Sequence, residues 1–272
     1  MIVVKIGGNA GVEFGDVLDD VASRAASGSR VVLVHGCSDA ATRLQEALGQ
    51  APRFVTSPSG YPSRFTDRAA LDVLVTAAAG VNATLVEGLR ARGVDAVGLS
   101  GMDGGLWRGP RKTAIRAVED GRTVVLRDGY TGRVRDVDAG LLEALLERGR
   151  VPVVGPPAWA DDGVPVNVDA DRAAAATAGA LGAEALVILS NVPGLLADVD
   201  DAGSLVREVT GDAFDAAMAL AKGRMRTKML AAREALDRGV GRVVLAAAGE
   251  AGPIEAALGG GGTTLVAAEL AS

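Results

Sequence analysis

Two short segments of this chain set residue types that handle phosphate groups beside glycines. Lys5-Ile6-Gly7-Gly8-Asn9 puts a lysine at the end of an apolar run with two glycines directly after it. Glycines let backbone N–H groups approach a polyanion, and a lysine supplies a compact positive charge for phosphate oxygens. Alone, such a segment is also an ordinary strand end and turn. It lacks the Gly-Lys-Ser/Thr ending of a P-loop and the GxGxxG spacing of a dinucleotide-binding turn. His35-Gly36-Cys37-Ser38 repeats the pattern at a second strand end, before a helix beginning near Asp39. Two such turns together could form one anion cradle from backbone donors and helix N-termini. His35 is the only histidine, so a multi-histidine metal site is excluded and a Ser-His-Asp triad would have to use it. A turn histidine with no part in chemistry is the plain alternative.

Two further segments carry charge. Asn167-Val168-Asp169-Ala170-Asp171 leads straight into RAAAATAGALG, which places Asp171 near a helix start, where a carboxylate can cap the helix and favour its dipole. The functional alternative is that Asp171 orients lysines and Asn167 helps hold a substrate near them. Lys228, in Gly223-Arg224-Met225-Arg226-Thr227-Lys228, would by residue type alone be a solvated lysine on a helix surface. Phosphoryl transfer to a carboxylate, however, needs in-line positioning and cations on the migrating group more than a strong base. Two lysines suit that demand.

The elements that must position these residues are short β-branched runs alternating with alanine- and leucine-rich stretches of helical length. IVVKI at 2–6 precedes a helix at 16–27, VVLVHG at 31–36 precedes one at 39–49, and VPVV at 151–154 comes before one at 169–182. Such alternation predicts βαβ units and a parallel sheet covered on both faces, an α/β sandwich. ALVILS at 185–190 and RVVLAAA at 242–248 suit strands buried on both faces, and TTLVAA a last strand. TVVLRD and RVRDVD flank Gly129-Tyr130-Thr131-Gly132, which predicts an antiparallel hairpin turning at those glycines. VPVVGPPAWADDGVPVN is marked as a loop by its prolines and glycines. A change of lobe is expected just after it, near residue 165, within a single domain spanning 1–272.

With 272 residues, 49% of them hydrophobic, the chain can bury a substantial core. The net charge of -6 argues against broad nucleic-acid binding, and aromatic residues at 3% leave few platforms for stacking bases. Arg108, Arg111, Lys112, Arg116, Arg122, Arg127, Arg133 and Arg135 nevertheless form a local basic patch; a solvated mixed-charge face is its plain explanation. Cys37 is the single cysteine, and no uninterrupted apolar stretch approaches the roughly 18 residues of a membrane helix. A soluble, reducing, cytoplasmic setting is therefore expected.

Taken in order, VVKIGGNA, VHGCS, SRFTD, GLSGMDG, NVDADRAA, LSNVPGLL and GRMRTKM resemble the amino-acid kinase superfamily, in its acetylglutamate-kinase-like branch, over almost the whole chain. The resemblance implies a three-layer αβα sandwich with a mainly parallel central sheet, an N-terminal substrate lobe at 1–165 and a C-terminal nucleotide lobe at 166–272. The implied reaction is ATP-dependent formation of an acyl phosphate, with Mg2+ bridging the ATP phosphates rather than sitting in a protein cage. Lys5 and Lys228 would stabilise the transferring phosphoryl group and Asp171 would organise them. Gly7, Gly8, Asn9, Gly36 and Cys37 would surround the phosphates, and Asn191, Val192 and Gly194 would border the nucleotide. Arg64 would grip the substrate's α-carboxylate with its guanidinium fork, Asn167 would contact the α-amino side, and His35 and Ser38 would complete the substrate site.

Two departures, GYTGRV and SRFTD, look like the kinases of lysine and arginine biosynthesis whose aminoadipate or glutamate substrate is attached through its amino group to a small acidic amino-group carrier protein of the LysW type. Arg133 and Arg135, supported by Arg111, Lys112, Arg116 and Arg127, would meet that acidic partner. A homodimer is a further implication. The alternatives are a kinase of free N-acetylglutamate and a non-catalytic amino-acid-binding module. Cys37 stands where the resemblance expects a glycine, which puts the geometry of that loop in question; a nucleophilic role for it is not required by the chemistry.

Overall fold

The computed structural model describes residues 1–8 and 14–267. The first half of the chain runs β1 (Ile2–Ile6), α1 (Gly15–Ala26), β2 (Val31–His35), α2 (Ser38–Ala47), β3 (Phe54–Thr56), β4 (Pro62–Arg64), α3 (Arg68–Arg90), β5 (Ala96–Ser100), β6 (Trp107–Gly109), β7 (Arg111–Glu119) and β8 (Arg122–Gly132). There follow β9 (Asp136–Val137), α4 (Ala139–Leu146), β10 (Val151–Gly155), β11 (Ala158–Ala160), β12 (Pro165–Val166), α5 (Ala170–Ala180), β13 (Ala185–Ser190) and β14 (Glu208–Val209). The chain ends with α6 (Phe214–Leu220), α7 (Arg224–Asp237), β15 (Arg242–Ala247), α8 (Pro253–Leu258) and β16 (Thr263–Val266).

Eight strands form the central sheet in the order β14-β16-β15-β13-β1-β2-β10-β5. All its pairings are parallel except β15 with β16. The period of two along each strand divides the core into layers. Val3, Val32, Val34, Leu186 and Ile188 pack with the alanines of α5 and α7. Ile2, Val4, Ile6, Val31, Leu33, Val187 and Leu189 pack on the other side with α1, α3 and α8. Helices on both faces explain why these strands read as continuous apolar runs. The three-layer α/β sandwich expected from the sequence is the fold observed.

Two local expectations are corrected. The hairpin does not turn at Gly129–Gly132: β7 pairs with β8 around Asp120–Gly121, and both turn residues have positive φ, 49° and 74°. An Asp-Gly pair meets that requirement with little strain. Gly129-Tyr130-Thr131-Gly132 instead completes β8, while Arg133 and Arg135 lie beyond the hairpin and β9 pairs with β6. The proline- and glycine-rich stretch is not all loop either, since β11 and β12 form a short antiparallel pair within it. Helix α3, 23 residues with a stretch of mean hydropathy 1.7, is long and apolar enough by length and composition to cross a membrane, although Asp72, Asn82 and Glu87 interrupt its apolar run as the sequence reading expects. One side of it buries Leu71, Leu74, Leu85 and Leu89, and the other exposes Arg68, Asp72 and Glu87.

Candidate active site

The carboxyl ends of β1, β2, β10 and β13 lie in register, with Lys5 beside Val34 and Ile188 and Ile6 beside His35 and Leu189. In an open parallel sheet this edge is where ligands bind. A cavity of about 660 Å³ opens there, roofed by the sheet β4-β3-β7-β8. Its floor holds Lys5, Asp171 and Lys228.

Each of the three is placed by the periodicity of its own element. Lys5 shares its parity with Val3 and so faces the layer that contains α5. Lys228 heads the buried stripe Lys228, Ala231, Ala232 and Ala235 of α7. Asp171 similarly begins the buried positions Ala174, Ala175 and Ala178 of α5. Alanines at these positions let the two helices pack closely, and Arg172 clamps them through a two-pronged ion pair with Glu234 at 2.5 to 3.1 Å. The result is one carboxylate between two ammonium groups: Lys5 Nζ lies 2.6 Å from one Asp171 oxygen and Lys228 Nζ 3.0 Å from the other.

All three are nearly inaccessible, at 5 to 6% exposure. Burial acts to raise the Asp171 carboxyl, but Lys228 and Lys5 outweigh it and hold the group well below the usual carboxylate range. Burial also lowers the Lys228 ammonium, against the pull of Asp171 and with the push of Lys5. Desolvating three charges is not a route that stability favours. The triad leaves one positive charge in excess and several lysine N–H donors for an incoming anion. Helix capping, the plain explanation offered for Asp171, belongs to its neighbour: Asp169 accepts from Arg172 N at 3.0 Å.

The two glycine turns meet directly. A Cβ at Gly8 would sit 2.3 Å from Gly36 C and 2.4 Å from Cys37 N, and Asp39 N donates to Gly8 O at 2.7 Å. No side chain fits between the loops, so their backbones form one cradle beside the lysines. Gly8, Gly36, Cys37 and Ser38 all line the cavity. Cys37 is accommodated with its buried side chain packed against Leu74 and Ala78. Burial pushes its thiol up to about 12, with Arg64 opposing.

Arg64 enters from β4, buried, with its guanidinium over the Phe54 ring at 4.6 Å. Its N–H groups donate to Gln45 Oε1, Ser38 O and Thr42 Oγ1 at 2.5 to 3.0 Å. Two of the five guanidinium N–H remain for a ligand. Asn167 sits at a junction: Asn167 N donates to Tyr130 O at 2.8 Å, its side-chain amide donates to Thr66 Oγ1 at 3.0 Å, and Asn167 O accepts from Gly132 N at 2.8 Å. The SRFTD, GYTG and NVDAD segments thus converge on one wall of the cavity.

Other expected residues lie elsewhere. His35 is buried at 1% exposure and does not line the cavity; its ring faces inward, toward Asn82. Gly7 donates its N–H to Leu189 O at 2.9 Å, behind the cradle. Asn191, Val192 and Gly194 follow β13 at the same sheet edge, outside the cavity lining. Asn9 lies outside the described residues. Of the six basic residues assigned to a partner, Lys112 and Arg116 line the cavity mouth and Arg127 shares their face of the hairpin. Arg111 stacks on Tyr130 and pairs with Asp162, and Arg135 is held by Asp136 and Asp161. Gln45, Thr42, Arg172 and Glu234 were not anticipated. Only Glu234, six residues past Lys228 in a basic and apolar helix, carried a hint in the sequence.

The family model described as "Amino acid kinase family" matches residues 1–247. A [LysW]-aminoadipate kinase of Deinococcus radiodurans is 50% identical over 266 residues, covering 97% of this chain and 91% of that protein. An acetylglutamate kinase of Methanopyrus kandleri is 40% identical, covering 90% and 94%. Among solved structures, an N-acetylglutamate synthase from Neisseria gonorrhoeae complexed with coenzyme A and N-acetylglutamate superposes with a TM-score of 0.79 at 24% identity; it covers 97% of this chain, which spans 59% of that protein. The cradle, the lysine pair on one carboxylate and these likenesses lead to one statement of kinship: the chain belongs to the amino acid kinase family.

Proposed function

We propose that this protein is a kinase that transfers the γ-phosphoryl group of ATP to the side-chain carboxylate of aminoadipate, glutamate or a related amino acid whose amino group is attached to a small acidic carrier protein. The observation that carries the proposal is the pair Lys5 and Lys228 on the two oxygens of Asp171. In the transfer the bond from the γ-phosphorus to the ADP oxygen breaks as a bond to the acceptor carboxylate forms, and charge spreads over the equatorial oxygens. Two fixed ammonium groups meet that charge without reorganising, and Asp171 keeps them from separating. The cradle of Gly8, Gly36 and Cys37 suits the phosphates because no Cβ stands in the way. Magnesium would come with the ATP, whose phosphates hold it, and would neutralise part of their charge.

Arg64 would hold the α-carboxylate, with Asn167 beside the blocked amino group. Division into a substrate lobe up to about residue 165 and a nucleotide lobe beyond it fits this placement, with Asn191, Val192 and Gly194 on the nucleotide side. The carrier-linked substrate is supported by the Deinococcus radiodurans relative's name and by the cavity mouth, where Lys112, Arg116 and Arg127 share a hairpin face with the exposed Val118 and Val125. Arg133, just beyond the hairpin and near enough to Lys112 to repel its ammonium, would add positive charge beside that face, whereas Arg111 and Arg135 already answer to acids of this chain. The cytoplasm, where ATP and reduced thiols coexist, is the compartment we assign. A homodimer through the outer edge of β5 is supported by that strand's sequence, AVGLS, which has neither charge nor proline to deter pairing.

The test is ATP-dependent hydroxamate formation with carrier-linked aminoadipate, carrier-linked glutamate and free N-acetylglutamate at equal concentration. Turnover confined to the carrier-linked acceptors is expected. Equal or better turnover of free N-acetylglutamate would remove the carrier from the proposal.

A further inference from the structure

His35 and Asn82 form a buried polar pair behind the cradle, and neither is needed to contact a substrate. The imidazole is wedged against β10, where a Cβ at Gly155 would lie 2.2 Å from its ring. His35 Nε2 lies 3.0 Å from Asn82 Nδ2, and His35 Nδ1 lies 3.3 Å from Gly36 O. The amide orientation of Asn82 is fixed independently, because Nδ2 also reaches the carbonyls of Val153 at 2.9 Å and Leu99 at 3.3 Å. A group that faces carbonyls must be the NH2. An NH2 cannot accept from a ring N–H, so His35 Nε2 carries no proton and shares the two Asn82 N–H groups with the carbonyls; Nδ1 carries the proton and donates it to the Gly36 carbonyl.

The consequence runs through the peptide plane. In a trans peptide the carbonyl and the following N–H point in opposite directions. Drawing Gly36 O toward the ring turns the Cys37 N–H to the opposite side of a peptide that lines the cavity and whose face is packed by Gly8, where a Cβ would lie 2.3 to 2.7 Å from Gly36 C, Cys37 N and Gly36 O. We infer that His35, held in one tautomer by Asn82, is a positioning residue that aims the Gly36–Cys37 peptide at the nucleotide phosphates without touching them. The neutral ring this requires agrees with its surroundings: burial lowers His35 to about 4, opposed by the Gly36 bond and aided by Lys5. Asn82 reaches β5, β10 and β2 at once, so the peptide's aim is tied to three strands rather than to its own loop.

This inference rests on the cradle being the ATP phosphate site. Because His35 is the only histidine, the 15N-labelled full-length chain gives one pair of ring-nitrogen signals, and no variant is needed to read them. A neutral, Nδ1-protonated ring between pH 6 and 8 is expected, with its signals moving on addition of magnesium AMP-PNP and not on addition of acceptor alone. An Nε2-protonated ring, or ring signals that stay fixed while the analogue binds, overturns the inference and leaves the kinase assignment standing. Failure of the wild type both to bind the analogue and to form hydroxamate overturns the kinase assignment and this inference with it. In kinetics, His35→Gln should raise KM for ATP about tenfold, and His35→Asn, whose amide can occupy the Nδ1 position, should raise it less, with acceptor KM unchanged in both. Equal rises in the two variants, or a matching rise in acceptor KM, would also overturn it.

Discussion

The floor and the mouth of the cavity are built on opposite plans. At the floor, three charges are buried almost completely and every one is held by another. At the mouth, the β7–β8 hairpin exposes Val118, Val125, Arg116 and Arg127 on one face. A floor that, on the function proposed, would meet the same phosphoryl group in every cycle gains from rigidity, since fixed dipoles and charges need no reorganisation. A mouth that must admit and release a bulky acceptor gains from being wet and ready to desolvate. The contrast teaches where energy is committed in advance and where it is left to be gained on encounter.

The largest break in that contrast is Asp171→Ala. It strands two buried ammonium groups, so stability should fall by roughly 3–5 kcal/mol and acyl-phosphate formation should vanish; denaturant melts and the hydroxamate assay read these separately. Next is Lys228→Ala, for which kcat should drop about 10² to 10³-fold with acceptor KM little changed. The wild-type pH profile sharpens the same point. A buried lysine with a lowered pKa gives up its proton at a lower pH than a free one, so kcat should decline on the alkaline side below pH 10.5. Absence of any decline below that value would separate Lys228 from the rate.

Arg64→Lys comes third. A lysine cannot satisfy Gln45, Ser38 O and Thr42 together while also gripping a carboxylate, so acceptor KM should rise about tenfold to a hundredfold and KM for ATP should hold. The smallest effect belongs to the mouth. Arg116→Glu with Arg127→Glu should slow capture of an acidic carrier-linked acceptor about tenfold at low salt and less at high salt. Arg135→Glu should do less than that pair, because Arg135 already faces Asp136 and Asp161. An Arg135 effect larger than that of the pair would move the recognition surface to the β6–β9 side.

The same contrast sorts what the sequence made legible. The strands of the central sheet are buried on both faces, and their apolar runs announce them. Lys5, Arg64, Asp171 and Lys228 stand in segments whose residue types are fixed by the chemistry, and the structure brings all four to one cavity. The hairpin was misplaced because two glycines around Tyr130-Thr131 imitate a turn, whereas Asp120-Gly121 makes it with two positive φ values. The resemblance places His35 in the substrate site; the packing of Gly155 against its ring shows that it faces inward. Asn82 escaped notice because a single polar residue inside an alanine- and leucine-rich helix does not reveal its three partners, which come from distant strands.

Cys37 has a consequence for handling the protein. With its thiol pushed up to about 12, only on the order of one molecule in 10⁵ carries the thiolate at neutral pH, and alkylation and oxidation proceed through the thiolate. Although this sulfur sits in the loop that we propose cradles the nucleotide, the enzyme should keep its activity in air and in iodoacetamide, and thiol-directed inhibitors should find no handle there.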